Sequence, residues 1–343
     1  MIRVAIDAMG GDYAPREIVH GAVLAAREYG VSVALVGIPK DIEVELKRHE
    51  IQGLNVSIVA ASEVVAMDEK PSKAVLRKKD SSIVKAMAQV AEGHADCVVA
   101  CGSTGAAAVA ATFIIGRLPN VSRCAIAAQM PTIHPTRCIV VDAGANVDCD
   151  ANMLKQFGLM GSILYAGLNN VKRPRVGVLN IGAETTKGNE LVQNAYALLK
   201  ETDLNFIGFV EGRDYPMGKV DVVVTDGFTG NVSLKTAEGI AKMVNHMLRQ
   251  ELLGSMRGKI GGMIAKPAFK SLKARVDPDE FGGAPLVGLK GVCVIAHGGS
   301  RHTAVKNAIR VACDMVRADV VGKIAKSFLT EKKTVKVEVE ATI

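Results

Sequence analysis

The chain contains no tryptophan, and aromatic residues make up only 4% of its 343 positions. A protein that holds single-stranded RNA or DNA on stacking platforms needs more aromatic surface than this. No basic arm or recognition-helix pattern is present either, so nucleic acid is not the expected partner. Cys-x-x-Cys pairs are missing too: the seven cysteines stand singly at 97, 101, 124, 138, 149, 293 and 313. An odd, scattered set in apolar surroundings predicts reduced, buried thiols in a cytoplasmic protein. Without His/Cys ligand spacing, no metal site is expected. The opening run MIRVAIDAMGGD enters a strand without the charged-then-apolar pattern of a secretory leader. The longest apolar stretch, Ala106 to Ile115, is about ten residues, where a bilayer needs roughly twenty.

What is present is an ordered, core-forming composition, 49% hydrophobic against 22% charged. Lys and Arg number 42 against 35 Asp and Glu, a formal charge of +7. That excess suits a phosphorylated substrate, an acidic protein partner or an anionic membrane surface, and equally a merely basic soluble protein. β-Branched runs of strand length recur near 3–7, 32–37, 55–59, 97–100, 124–129, 138–141, 175–180, 205–209, 220–224 and 291–296. Amphipathic segments at 15–29, 83–93, 151–168, 189–200 and 302–321 fall between them. This alternation predicts a three-layer α/β/α fold on a mostly parallel sheet, with ligands bound beyond the carboxyl ends of its strands. The stretch 228–281 breaks the alternation and reads as a helical excursion from one α/β/α unit over 1–329. The last residues, from 330, read as a tail.

Four strand-like runs end in glycine and small polar residues: AIDAMGGD (5–12), ACGSTGA (100–106), VTDGFTGN (224–231) and IAHGGS (295–300). NIGAETTKGNE (180–190) adds a lysine to the pattern. Such turns present backbone N–H groups to an anion at a helix start, and a set of them predicts a phosphate-binding cleft. Its candidate lining is Gly10, Gly11, Ser103, Thr104, Gly105, Asn146, Gly227, Thr229, Gly230, Gly298, Gly299 and Ser300. Each of these also reads as a plain turn or cap. Lys187 precedes a helix whose macrodipole its cation opposes, a cost that a bound anion offsets. Asn231 at a helix start can hydrogen-bond phosphate or an oxyanion, and His297 is a candidate general acid. Lys70 to Lys79 carries five cations in ten residues, a solvated face or an anion-docking loop. No Gly-x-Ser-x-Gly spacing marks a nucleophilic serine, and no Gly-x-Gly-x-x-Gly follows a strand, which argues against a nicotinamide-dependent dehydrogenase.

AIDAMGGD, KPSKAVLRKKDSS, STGA, DAGAN, NIGAETTKGNE, VTDGFTGN, FGGAPLVGLKG and AHGGS occur in this order over residues 5–300. Together they resemble the bacterial phosphate acyltransferases of phospholipid synthesis, the acyl-ACP:phosphate acyltransferases. The resemblance implies a cytoplasmic, peripherally membrane-associated homodimer that makes acyl phosphate from acyl carrier protein thioesters and inorganic phosphate. It implies an architecture similar to the isocitrate/isopropylmalate dehydrogenases and phosphotransacetylases, with two interwoven lobes on one mixed sheet. It also implies a product passed to a membrane glycerol-3-phosphate acyltransferase, and no cofactor. One departure stands out: Ser103 replaces the Asn usual in the family, so a side-chain amide is lost there. Phosphate is already a nucleophile near neutral pH, so direct attack on the thioester needs no acyl-enzyme. A phosphate acetyl- or butyryl-type transferase using acyl-CoA is the alternative enzyme, and a non-catalytic carrier-protein or membrane adaptor on the same fold is the alternative from another class.

Residues 243–269 interleave Met and Leu with Arg and Lys. Leu253, Met256, Ile260 and Met263 are candidate membrane contacts, and a helix-hairpin core or dimer contact is the other reading. Gly254, Gly258, Gly261 and Gly262 predict a broken tip between helices.

Overall fold

Ten of the predicted strands pair into one eleven-stranded sheet, seen in a computed structural model that describes residues 1–329. The strands are β1 (Arg3–Asp7), β2 (Ser32–Gly37), β3 (Val56–Ala60), β4 (Cys97–Ala100), β5 (Ala125–Pro131) and β6 (Arg137–Val141). They continue with β7 (Arg175–Leu179), β8 (Asn205–Val210), β9 (Val222–Val224), β10 (Ala284–Val287) and β11 (Val292–Ile295). Their order is β3-β2-β1-β4-β11-β10-β5-β6-β9-β7-β8. The tail expected from residue 330 lies outside the described residues.

Helices flank both faces. They are α1 (Arg16–Tyr29), α2 (Pro39–Leu46), α3 (Pro71–Arg77), α4 (Ser82–Ala91), α5 (Thr104–Ile114), α6 (Ala151–Asn169), α7 (Glu190–Lys200), α8 (Gly227–Leu253), α9 (Met256–Ile264), α10 (Lys266–Val276) and α11 (His302–Arg317). On one face α1, α6, α7 and α11 share a core with Val4, Ile6, Val141 and Val294. On the other, α4 and α5 pack on Ala5, Val98 and Cys293. Alternate strand residues thus enter separate cores, as a pleated sheet covered on both sides requires. Six of the seven cysteines are buried in these layers, and all seven are free thiols.

β10 is the strand absent from the sequence expectation, and it sets the geometry of the molecule. It is antiparallel to both β11 and β5, and β5 is antiparallel to β6. The five strands on the β1 side and the four on the β9 side therefore run in opposite directions. Register decides where they meet. Ala284 pairs with Ile295, and Leu286 pairs with Ile126, so the end of β11 is level with Ala128 of β5. Val141, the end of β6, pairs with Ala127. The two sets of carboxyl ends are offset by one residue, about 3.4 Å of strand rise. They converge on the middle of β5 from opposite sides.

The excursion is helical as expected. α8 leaves the end of β9, and α9 and α10 follow after a break at Gly254 and Ser255, where the Ser255 hydroxyl caps α9 by accepting from the Gly258 N–H (2.9 Å). Of α8's 27 residues only Gly227 and Gly230 are buried.

Candidate active site

The converging loops form two groups facing each other across β10 and β5. The first comprises the loops after β1, β4 and β11. Here Asp12 donates its N–H to the Gly298 carbonyl (2.8 Å), and Gly11 sits at φ +101° against the Cys101 and Gly298 carbonyls. A Cβ at Gly10 would lie 2.9 Å from the Gly102 nitrogen, so the loops touch through glycine backbone. Gly105 opens α5 against Pro71 of the basic segment, where Lys78 is held by Glu69 at 2.6 Å. Ser103 caps α5 by accepting from the Ala106 N–H, while Thr104 stays exposed. Buried Asp7 accepts from the Met9 N–H (3.2 Å); burial pushes its carboxyl up against the pull of hydrogen bonds from Ser82, Met9 and Gly10. Burial, with the Asp7 carboxylate beside it, also raises the Cys101 thiol, which leaves it protonated and a poor nucleophile.

The second group is built on Asp142. Its buried carboxylate accepts from the N–H groups of Ile126 (2.9 Å), Gly144 (3.2 Å), Ala145 (3.1 Å) and Asn146 (2.7 Å), and from the Asn146 side-chain amide (2.9 Å). Burial pushes this carboxyl up, against those donors. The Asn146 amide also donates to the Cys124 carbonyl (2.8 Å), so this residue organises the loop through its side chain. The 225–231 turn presses on it. A Cβ at Gly230 would overlap the Asp142 carbonyl oxygen, and one at Gly227 would overlap the Asn146 carbonyl oxygen. Thr229 donates to Asp226, the α8 N-cap (2.8 Å), and a Cβ at Gly144 would lie 3.5 Å from the Asn231 side chain.

Between the groups lies a cleft of about 400 Å³. Its floor is Ile126, Ala128 and Met130 of β5 with Ala284 of β10, and α8 forms its roof. Thr104, Asn231, His297 and Ser300 all line it, brought together from three separate glycine loops. The Gly299 N–H donates to Nδ1 of His297 (3.1 Å). With Nδ1 accepting that bond, an uncharged ring carries its proton on Nε2. Gly10, Gly11, Ser103, Gly105, Asn146, Gly227, Thr229, Gly230, Gly298 and Gly299 shape the loops without lining the cleft.

Lys187 is not part of the lining. Its exposed side chain lies on the loop after β7, two strands from β6, and α7 is capped instead by Asn189, which accepts from the Val192 N–H (3.0 Å). The cations that do line the cleft are Lys235 and Lys242 of α8, the first paired with Glu238 at 3.1 Å. Sequence reading passed over both. Their signal was the 4-3-4-3 spacing of Asn231, Lys235, Glu238, Lys242 and Asn245, which puts all five on one helix face. Beyond the cleft, Leu253, Met256, Ile260 and Met263 are all at least half exposed. No helix among the described residues is long and apolar enough to cross a membrane.

The architecture matches that of phosphotransacetylases. The enzyme from Streptococcus pyogenes superposes with a TM-score of 0.61 at 17% identity, covering 94% of each chain. The EutD phosphotransacetylase from Staphylococcus aureus gives 0.59 at 17% identity, covering 92% of this chain and 94% of that one. Sequence relatives go further. Proteins named phosphate acyltransferase from Desulforamulus reducens and Geobacter sulfurreducens are 49% and 47% identical, over 97% and 96% of this chain and 99% and 95% of theirs. A family described as "Fatty acid synthesis protein" matches residues 2–323. The chain therefore belongs to the phosphate acyltransferase family, the acyl-transferring enzymes of fatty acid and phospholipid synthesis.

Proposed function

We propose that the protein forms acyl phosphate from an acyl carrier protein thioester and inorganic phosphate, by direct attack of phosphate on the thioester carbonyl. The observation that carries this reading is the composition of the cleft. Hydrogen-bonding groups (Thr104, Asn231, His297 and Ser300) sit beside a largely apolar trough of Ile126, Ala128, Met130, Leu234 and Phe281. In this reading phosphate occupies the polar end, and the fatty chain lies in the trough under α8. Asn231 hydrogen-bonds the phosphate or the oxyanion as it develops, and His297 gives the Nε2 proton to the leaving thiolate. Lys235 and Lys242 offset phosphate charge within the cleft, and Lys187 adds to the field from outside it. The glycine loops position Thr104, Asn231, His297 and Ser300 to hold phosphate against the thioester, which offsets the entropy loss of a bimolecular encounter.

The net charge of +7 favours approach of an acidic carrier protein. The unburied face of α8 supports a homodimer, and the 253–263 tip supports contact with anionic lipid, which is where a poorly soluble acyl phosphate is best released to a membrane glycerol-3-phosphate acyltransferase. The deciding assay measures acyl phosphate made from acyl carrier protein thioester plus phosphate, with acyl-CoA in parallel. Absence of product from both donors overturns the reading, and product from acyl-CoA alone reassigns the donor. Cys101→Ala and Ser103→Ala should each keep substantial activity; a trapped acyl group on either residue overturns direct attack.

A further inference from the structure

Just past the 297–300 loop, and outside the cleft lining, three histidines stack on one another. The His20 ring lies between those of His49, at a centroid distance of 4.8 Å, and His302, at 4.3 Å. Glu17, one turn before His20 on α1, accepts from the His302 backbone N–H (3.0 Å) and lies 2.7 Å from His302 Nδ1. One ring nitrogen of His20, one of His302 and one Glu17 oxygen are all within 4.8 Å of each other. No hydrogen bond to a protein group is made by either ring nitrogen of His20 among the described residues.

The packing explains why these groups meet. Gly21 lies where α1 crosses α11, and a Cβ there would be 2.6 Å from Val305 and 2.7 Å from the His302 carbonyl. The helices approach until the residues beside that glycine converge. Glu17-x-x-His20 puts two donors on one helix face, and the third arrives from a position far along the chain. That separation is why linear ligand spacing predicted no metal.

We propose that Glu17, His20 and His302 bind one divalent transition-metal ion of the zinc class, tying α1 to the start of α11. Two imidazole nitrogens and one carboxylate oxygen are the donor set that suits zinc, cobalt or nickel and not magnesium or calcium. Bonds of roughly 2.0–2.1 Å to nitrogen hold tetrahedral donors roughly 3.3 Å apart, so separations of up to 4.8 Å must close by at most about 1.5 Å, while the Glu17–His302 Nδ1 pair at 2.7 Å opens slightly. All three are partly exposed and have the torsional freedom to do so. The fourth position falls to water or to His49. Because α11 begins directly after the 297–300 loop, an ion here would fix the base of one wall of the cleft.

The test uses the full, untagged chain titrated with cobalt(II) and followed by visible absorption. The expected result is saturation at one ion per chain, with the strong d–d bands of a low-coordinate site, no thiolate charge-transfer band, and displacement by zinc. Glu17→Gln and His20→Ala should each weaken binding at least about tenfold, whereas His94→Ala, an exposed histidine elsewhere, should not. Zinc should raise the melting temperature of the wild type and not of Glu17→Gln, whose metal-free melting temperature serves as the folding control. Non-saturating binding, a thiolate band, or variants that bind as tightly as wild type would each overturn the proposal.

Discussion

The helices α11 and α8 show opposite ways of using an amphipathic face. α11 buries nine of its sixteen residues against α1 and the sheet, including Val305, Ile309 and Val311. α8 is longer by more than ten residues, yet Ile240, Met243, Val244 and Met247 remain about half exposed. One helix completes the core, so its apolar side is satisfied within the chain. The other uses one face to roof the cleft and leaves the rest of its apolar surface exposed. If α8 works as proposed, stability and function rest on different helices, and substitutions should separate them.

The largest expected effect follows from placing a charge in each. Val305→Asp buries an uncompensated carboxylate between α1 and the sheet, and should remove several kcal/mol of stability, enough to prevent soluble folding. Val244→Asp should leave the unfolding free energy of the dilute chain within about 0.5 kcal/mol of wild type while weakening self-association in sedimentation velocity. Equal destabilisation of the two variants in urea titrations would break the contrast. At the root of α8, Asn231→Ala should lower turnover by about 10²-fold with an unchanged melting temperature. Lys187→Ala, outside the cleft, should act chiefly on the KM for phosphate and by less. A larger effect of Lys187 would move the phosphate towards the β7 loop.

At the far end of the excursion, Met256→Glu and Ile260→Glu should reduce flotation with anionic vesicles while turnover on soluble donor persists. Variants that float like wild type would leave the exposed tip without a lipid role. The smallest effect lies on the body's surface. Lys85, with help from the Ser62 hydroxyl and N–H, holds the Asp80 carboxyl down to about 2. A depressed folded-state value means that this contribution is present above the unfolded value of about 3.9 and fades as pH falls towards 2. In Lys85→Ala, an NMR titration should find the Asp80 value raised. An unmoved value would leave the hydroxyl and N–H as sufficient cause.

The α/β/α class was legible because fully buried strands such as Cys97–Ala100 and Val222–Val224 are unbroken apolar runs, and the helices between them carry apolar stripes. β10 was not: Ala284–Val287 is four residues long, includes a proline and follows two glycines, so nothing local distinguishes it from a turn. Its pairing comes from β5 and β11, and with it came the reversal that makes the loops face each other. Within the cleft, Asn231, Thr104, His297 and Ser300 could be read because glycine turns after strands have a local signature. Lys235 and Lys242 were hidden in a helix whose cations read equally as solvated or lipid-facing, and only the position of β5 beneath α8 distinguishes their face.

The insertion of β11 between β4 and β10 also has a consequence during synthesis. Cys97 of β4 pairs with Val292, roughly 200 residues further along the chain. At ribosomal rates of about 5–20 residues per second, β4 emerges on the order of ten to forty seconds before its neighbour exists. Until then one edge of a Cys-Val-Val-Ala strand is an open template for the wrong partner, and the nascent chain must rely on a chaperone or on its own slow collapse to keep that edge free.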